Sequence, residues 1–361
     1  MRSAWLMGLE WIELREVPKP KPGPDDVVVR VEAALTCGTD LKAYLRGHRL
    51  IPMPGPFGHE YAGVVEAVGK NVRAFAPGDP VMGVHSAPCG RCYWCARGEG
   101  NLCPHIMETK VLGTYAEYVL IPGHIASVNL FSMPEGLSFA EAALLEPLSC
   151  VVHGLARLAV RPDDAVVIVG PGAIGLLHLA VLQARGVANV IVAGRRGFRL
   201  EQAKRMGARL AVDVNDVALR DAVMEATEGR GADIVIESTG RKEVWEQAPD
   251  LVRRGGHVVL FGGLPGGTEV TFRSDRIHYD EITLHSPFHF TPADVAEARR
   301  LLVAGLPGAS LLITDGCTLD ETPLVFERLQ KGDCLKCAIF PWAKSAGEAR
   351  QALEAGRAAC G

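Results

Sequence analysis

Four of the ten cysteines crowd into one stretch, Cys89-Gly90-Arg91-Cys92-Tyr93-Trp94-Cys95 and on to Cys103, where glycines, Pro88 and Pro104 mark loop structure. Two consecutive C-x-x-C steps in one loop suit a closed tetrahedral zinc site of four thiolates. Such a site has no open coordination position, so its role is structural and it says nothing of catalysis. Nearer the N-terminus, Cys37-Gly38-Thr39-Asp40 and Gly58-His59-Glu60 supply a thiolate, an imidazole and a carboxylate, which are also zinc donors. A further C-x-x-C, Cys334-Leu335-Lys336-Cys337, has no other Cys or His near enough in sequence to complete a site. Its thiols, with Cys150, Cys317 and Cys360, read as ordinary.

Glycine spacing is the third chemical signature. Gly170-Pro171-Gly172-Ala173-Ile174-Gly175 follows an apolar run at 165–169 and opens a helical stretch, the context that a dinucleotide-binding turn requires. The first glycine makes the tight turn, the second admits the pyrophosphate against the backbone, and the third lets the helix pack on the sheet. Ala173 and Ile174 then stand at a helix N-terminus that faces the phosphates. An acid about 20 residues further on would bind the ribose 2′-hydroxyl of NAD. No Asp or Glu occurs between Gly175 and Glu201; Gly194, Arg195, Arg196 and Arg199 stand there instead. Glycine removes a side chain that would meet a 2′-phosphate, and guanidinium groups hold phosphate oxygens by charge-assisted bonds. The pattern predicts NADP, with NAD as the alternative.

These groups need a scaffold. From about Asp163 short apolar runs at 165–169, 189–193, 210–212, 233–237, 257–261 and 281–284 alternate with helical stretches, which predicts a doubly wound parallel sheet. The first ~145 residues are instead rich in Gly and Pro, with short β-like runs such as 26–33 and 61–68. No internal repeat or low-complexity tract is present.

With 361 residues the chain suits two domains at ~100–200 residues each. Hydrophobic residues at 48% and charged residues at 22% exclude a disordered chain. A formal charge of −4 gives no electrostatic reason to expect nucleic acid or an anionic membrane as partner. The N-terminus lacks the apolar stretch of a secretory signal. The most apolar region, 165–193, is cut by Gly170-Pro171-Gly172, Gly175, Arg185 and Asn189, short of the ~20 residues of a membrane helix. A cytoplasmic location with reduced thiols is expected.

Taken in order, Cys37-Gly38-Thr39-Asp40, Gly58-His59-Glu60, the turn Pro77-Gly78-Asp79, the four-cysteine loop, Glu146-Pro147-Leu148-Ser149 and the glycine fingerprint resemble a known family. It is the zinc-dependent medium-chain dehydrogenase/reductase family, with its alcohol, sorbitol and threonine dehydrogenases, and the resemblance covers nearly the whole chain. An α/β fold is implied: a Rossmann doubly wound parallel sheet at 147–289 plus a mostly β, GroES-like catalytic domain made of 1–146 and 290–361. Also implied are two zinc ions per chain. The structural one would be held by Cys89, Cys92, Cys95 and Cys103, the catalytic one by Cys37 and His59, with Glu60 and Glu146 either ligating it or standing behind the ligands. Glu-Pro-Leu-Ser at Glu146 is similar to the sorbitol and polyol branch, where relatives acting on simple alcohols often carry a cysteine.

The reaction so implied is hydride transfer between a secondary alcohol of a polyol or sugar-like substrate and NADP(H). Zinc acts as Lewis acid, Thr39 accepts the hydroxyl proton and the nicotinamide takes the hydride. Many relatives relay that proton through a histidine three residues after the Thr; here the position is Lys42, a poor relay unless its pKa is depressed, and as readily a surface lysine. His289, in Phe288-His289-Phe290, sits where polyol-dehydrogenase relatives have a Phe-Arg-Tyr segment, which makes it a candidate substrate contact. Rival readings are an L-threonine 3-dehydrogenase or other alcohol dehydrogenase using NAD, and a non-catalytic zinc- and dinucleotide-binding protein. The last would have no need of an open zinc position. A homotetramer or homodimer is the implied assembly.

Overall fold

A computed structural model of the chain describes residues 1–195 and 197–359, in two compact units. The first comprises Met1–Ser149, Phe290–Gly305 and Ile313–Gly361, the second Cys150–His289 and Leu306–Leu312. Along the chain the strands are β1 (Arg2–Gly8), β2 (Trp11–Glu16), β3 (Val27–Leu35), β4 (Gly55–Pro56), β5 (Glu60–Val68), β6 (Pro80–Gly83), β7 (Tyr118–Ile121), β8 (Leu130–Ser132), β9 (Val166–Val169), β10 (Val190–Gly194), β11 (Leu210–Asp213), β12 (Ala232–Glu237), β13 (Val252–Leu260), β14 (Thr283–His285), β15 (Ile313–Thr318) and β16 (Lys336–Phe340).

In the first unit a small sheet, β2-β1-β4, accompanies a seven-stranded one ordered β15-β16-β3-β5-β6-β8, with β7 also paired to β3. Six of the nine residues of β3 are Val or Ala, and the strand is mostly buried on both faces, as a central strand must be. It pairs antiparallel with β5 from Val27↔Val68 to Leu35↔Glu60. Because the last residue of β3 faces the first of β5, Cys37 and His59 leave the sheet at the same end. β16 joins β3 antiparallel through Ala338↔Leu35, which carries Lys336 to that end as well. Packed below are the rings of Tyr44, Phe57, Tyr115 and Phe326, with neighbouring centroids 5.1–5.4 Å apart along the row. Burying each such ring contributes about 1.5–3 kcal/mol, so the C-terminal segment bearing Phe326 is held to the N-terminal part by apolar burial as well as by the ladder.

The second unit carries a six-stranded sheet in which every pairing is parallel, ordered β11-β10-β9-β12-β13-β14. Numbered within the unit this is 3-2-1-4-5-6, the doubly wound order that binds dinucleotides where the strand order reverses. The expected Rossmann sheet is therefore present. All four residues of β9 are buried, and the helix after it, Ala173–Ala184, is apolar on every side with Gly175–Leu182 buried. Two expected strands differ at their ends. β13 begins at Val252, earlier than predicted, because the glycines at 255 and 256 are accommodated within the strand at a register shift. β14 begins only at Thr283, since Glu281 turns with a φ of 52°.

The expected domain limits shift slightly. The helix Leu145–Ala156 runs unbroken through residue 146, and the division falls after Ser149. Leu306–Leu312, within the stretch 290–361 that the resemblance gives to the catalytic part, groups with the second unit, where helix Ala309–Leu312 packs on Ala173–Ala184. One stretch, Phe139–Ala156, is long and apolar enough to cross a bilayer; with 83% of it buried inside the fold, it is a core element.

Candidate metal centre and cofactor turn

Cys37 caps the helix Gly38–Arg46, and its sulfur accepts the Thr39 amide hydrogen at 3.4 Å. Asp40, one residue on and fully buried, lies 3.1 Å through Oδ1 from His59 Nδ1. Its other oxygen accepts the Tyr115 hydroxyl at 2.5 Å, and that hydroxyl also lies 3.1 Å from the Leu35 carbonyl. Tyr115 thus fixes Asp40, and Asp40 turns the His59 ring so that Nε2 is left for a metal, the usual support behind a ligating imidazole. Donor atoms of Cys37, His59 and Glu60 all lie within 4.8 Å of one another. Burial opposes charge on His59, yet Asp40 and Cys37 hold its imidazole well above the ordinary value. An anionic nest that stabilises a proton on a buried imidazole fits a divalent cation better still.

Glu60 is clasped from behind. Lys336 Nζ donates to Glu60 Oε1 at 2.7 Å, to Oε2 at 2.5 Å and to the Thr36 carbonyl at 2.8 Å, using all three of its hydrogens. Both side chains are buried. Burial pushes the Glu60 carboxyl up to about 7 against the pull of the Lys336 ammonium, and the charge of Glu146 adds to the rise. Glu146, in the first turn of its helix, meets a residue that sequence reading passed over: His85, whose Nδ1 is 3.3 Å from Glu146 Oε1. The His85 ring stands 5.1 Å from that of His59, and burial keeps its imidazole below the ordinary value. Lys336 and His85 were missed because their partners are remote in sequence, 276 residues away for Lys336. The one available signal was a histidine just ahead of the cysteine loop.

The four loop cysteines, with Cys95 in the short helix Tyr93–Ala96, Cys92 at its N-cap and Cys103 just after the turn Gly100–Leu102, also converge within 4.8 Å. Cys92 Sγ is 3.4 Å and Cys89 Sγ 4.0 Å from Cys95 Sγ, and the Cys89 amide points at Cys103 Sγ. The Arg91 N–H holds the Cys89 thiol down at about 6, whereas burial and the Cys92 sulfur push Cys95 up to about 12. Four sulfurs so close cannot all carry charge until a cation shares it, which is the donor chemistry of a closed zinc site. Cys334 and Cys337 are buried and join no metal-binding group among the described residues.

Of the other named residues, Thr39 and Lys42 lie one turn apart on the helix Gly38–Arg46, both half-buried. His289 belongs to the second unit, where it adopts a left-handed φ of 60° next to Phe288, a conformation that favours glycine.

At the glycine turn, Gly170 has a φ of 108°, and a side chain there would strike Thr239 and Ser238. A Cβ at Gly175 would lie 2.0 Å from the Gly170 carbonyl oxygen, so the helix can approach the strand only with glycine. By contrast, the space beside Gly172 is open, with only Arg199 Nη1 at 4.0 Å from where a Cβ would be. That is a cradle for an anion at a helix N-terminus, overlooked by a guanidinium. Gly194 has a further reason to be glycine: a Cβ would sit 2.4 Å from the Pro171 ring. Its absence of side chain is thus demanded by packing, and the weight of the NADP expectation moves to the arginines. Arg195 is exposed with its carbonyl held by Asn215 at 3.2 Å; Arg196 lies outside the described residues.

Residues 23–132 match the alcohol dehydrogenase GroES-like domain, and residues 173–304 match the zinc-binding dehydrogenase domain. A sorbitol dehydrogenase from Bacillus subtilis is 32% identical over 349 residues, 94% of this chain and 97% of its own. An L-threonine 3-dehydrogenase from Anaeromyxobacter dehalogenans is 34% identical over 71% of this chain and 74% of its own. Among solved structures, a protein from Sinorhizobium meliloti 1021 described as a zinc-binding dehydrogenase bound to NADP superposes with a TM-score of 0.85 at 32% identity, covering 94% of this chain and 99% of that one.

Proposed function

The chain belongs to the zinc-dependent medium-chain dehydrogenase/reductase family, an oxidoreductase family acting on alcohols, and from that premise we propose that it oxidises a secondary alcohol of a polyol or sugar-like substrate with NADP. The observation that carries this reading is the convergence of Cys37, His59 and Glu60, backed by Asp40, Lys336 and the His85–Glu146 pair. Cys37 and His59 would hold the catalytic zinc, with Glu60 and Glu146 as the candidate carboxylates, and Cys89, Cys92, Cys95 and Cys103 would hold a second, structural zinc. When bound, the catalytic ion supplies Lewis acidity towards a hydroxyl oxygen, and the dinucleotide supplies a hydride acceptor.

The chain's own residues do the rest. Asp40 and Tyr115 keep the His59 ring in the ligating tautomer. Lys336 compensates the charge of Glu60, which keeps the centre from accumulating excess negative charge. Thr39, at the start of the helix, would accept a hydroxyl proton, with Lys42 one turn on. Gly170, Gly172, Gly175, Ala173 and Ile174 would receive the pyrophosphate, while Gly194, Arg195, Arg196 and Arg199 would face the 2′-phosphate. The NADP held by the Sinorhizobium meliloti structure supports that cofactor, and the sorbitol dehydrogenase relatives support a polyol. His289 is the proposed polar contact to substrate.

A threonine substrate is the second reading, favoured by relatives bearing that name. We further propose a cytoplasmic homo-oligomer. The test is kcat/KM for NADP and NAD with polyols, simple alcohols and threonine at one pH. A polyol with NADP is expected; threonine as sole substrate would replace the polyol reading while leaving the zinc chemistry intact.

A further inference from the structure

The crevice for a dinucleotide has a second wall, which the glycine turn does not supply. In a sheet of order 3-2-1-4-5-6 the reversal falls between the first and fourth strands, here β9 and β12, and a ligand lies outside their carboxyl ends. The glycine turn follows β9; Ser238, Thr239 and Gly240 follow β12 and lead to the helix Lys242–Gln247. These two turns touch. A Cβ at Gly170 would lie 2.8 Å from Thr239 Cγ2 and 3.0 Å from Ser238 Oγ, and one at Gly175 would lie 2.9 Å from that same Oγ. Ser238 therefore stands between the first and third glycines of the fingerprint.

Hydrogen bonds fix what these residues do. The Ser238 hydroxyl lies 3.0 Å from the Val169 carbonyl oxygen and 2.9 Å from that of Gly170, and the Ser238 amide donates to the Val169 carbonyl at 2.9 Å. A carbonyl held towards Ser238 is kept out of the crevice, where its negative end would repel a pyrophosphate, and the helix N–H groups are left to meet the anion. Beneath the turn is Glu237, the last residue of β12 and fully buried. Its Oε1 accepts the Thr239 amide at 2.6 Å, the Gly240 amide at 2.9 Å and the Thr239 hydroxyl, whose oxygen in turn accepts the Arg241 amide at 3.2 Å. Its Oε2 is closed in by Gly262, where a Cβ would lie 2.8 Å from it. Burial raises this carboxyl, and the donors of the turn oppose the rise. A buried carboxylate is costly unless hydrogen bonds compensate it, so the turn is held to the one shape in which its donors all reach Oε1.

We propose that Glu237 and Ser238 are positioning residues for the dinucleotide: Glu237 fixes the turn after β12, and from that turn Ser238 holds the Val169 and Gly170 carbonyls away from the pyrophosphate. The proposal rests on the dinucleotide reading of the glycine turn and adds to it two residues on the facing strand. Neither touches the reacting atoms. Because the pyrophosphate is common to both dinucleotides, the pair sets affinity for NADP and NAD alike, whereas the arginines after β10 would act on the 2′-phosphate alone.

The test is equilibrium binding of NADP and of NAD to the zinc-loaded full chain by calorimetry, alongside steady-state kinetics. Ser238→Ala should weaken both dinucleotides about five-fold or more, and Glu237→Leu about ten-fold or more, each by one factor for NADP and NAD. Glu237→Gln, which keeps an oxygen for the three donors, should bind within about three-fold of the parent. In Ser238→Ala and Glu237→Leu the KM for the dinucleotide rises, while the KM for the alcohol and the zinc content stay at parental values. Should Glu237→Leu fail to fold, Glu237→Asp, whose shorter side chain withdraws the oxygen from the turn, takes its place. Parental affinity in Ser238→Ala, a loss confined to NADP, or an equal rise in KM for the alcohol overturns the proposal alone. A parent chain that binds neither dinucleotide overturns the dinucleotide reading and the proposal together.

Discussion

Lys336 is the residue on which the metal centre leans without its touching the proposed ion. Replacing it by Met leaves the buried Glu60 carboxylate with no counter-charge, and breaking a buried pair in this way costs about 3–5 kcal/mol. Lys336→Met should therefore unfold at markedly lower urea, whereas Lys336→Met combined with Glu60→Gln should recover part of the loss. Asp233 shows a different balance. Burial would raise its carboxyl, but Arg253 at 2.5 Å, the Ala165 amide at 2.8 Å and Arg230 hold it below the ordinary value. A depressed folded pKa means the stabilisation is present above the unfolded value of about 3.9 and is lost as pH falls through the folded one. Asp233→Asn should lose about 1–3 kcal/mol at neutral pH. The gap between variant and parent should close as pH drops below about 3.9, which urea melts at a series of pH values would measure.

The cysteine loop and the helix after β10 carry testable chemistry at the scale of elements. If the cysteine loop closes on its own zinc, the native chain should release two zinc ions per chain on denaturation and Cys95→Ser one, with a lower melting temperature for the variant; two ions retained in Cys95→Ser would contradict the assignment. On the helix after β10, Gly197–Arg205, Arg199→Ala should reduce kcat/KM for NADP by about 10- to 100-fold, the range of one charge-assisted bond, and change that for NAD little. Elements were legible from sequence where a short pattern suffices. β9 and its glycine turn announce themselves because strand, turn and helix are contiguous. β3, β5 and β16 were legible only in part: runs at 26–33 and 61–68 foretold the first two, but no local pattern says that β16, some 300 residues on, completes the end of the sheet that carries Cys37 and His59.

For the whole molecule, the alternation of apolar runs was enough to foresee the parallel sheet, and the structure supplies its 3-2-1-4-5-6 order. Long-range pairings were not legible, because complementary charges such as Glu60 and Lys336 carry no mark of each other in sequence. Cys37, His59 and Glu60 could be grouped beforehand because each stands in a short motif, while His85 and Tyr115 act through geometry that only folding creates. The same limit explains Gly194: sequence suggested room for a phosphate, and the fold adds a clash with Pro171 that demands glycine in any case.

The measurement that bears most directly on the whole account is cofactor reduction by the zinc-loaded chain, with NADP and NAD offered separately against polyols, simple alcohols and threonine, zinc content being determined on the same preparation. A zinc-dependent reduction of NADP by a hydroxyl-rich substrate, abolished when zinc is removed and restored when it is returned, is the predicted result. Unchanged turnover after the zinc is stripped, or no alcohol-dependent reduction of either dinucleotide by protein that carries its zinc, would contradict it.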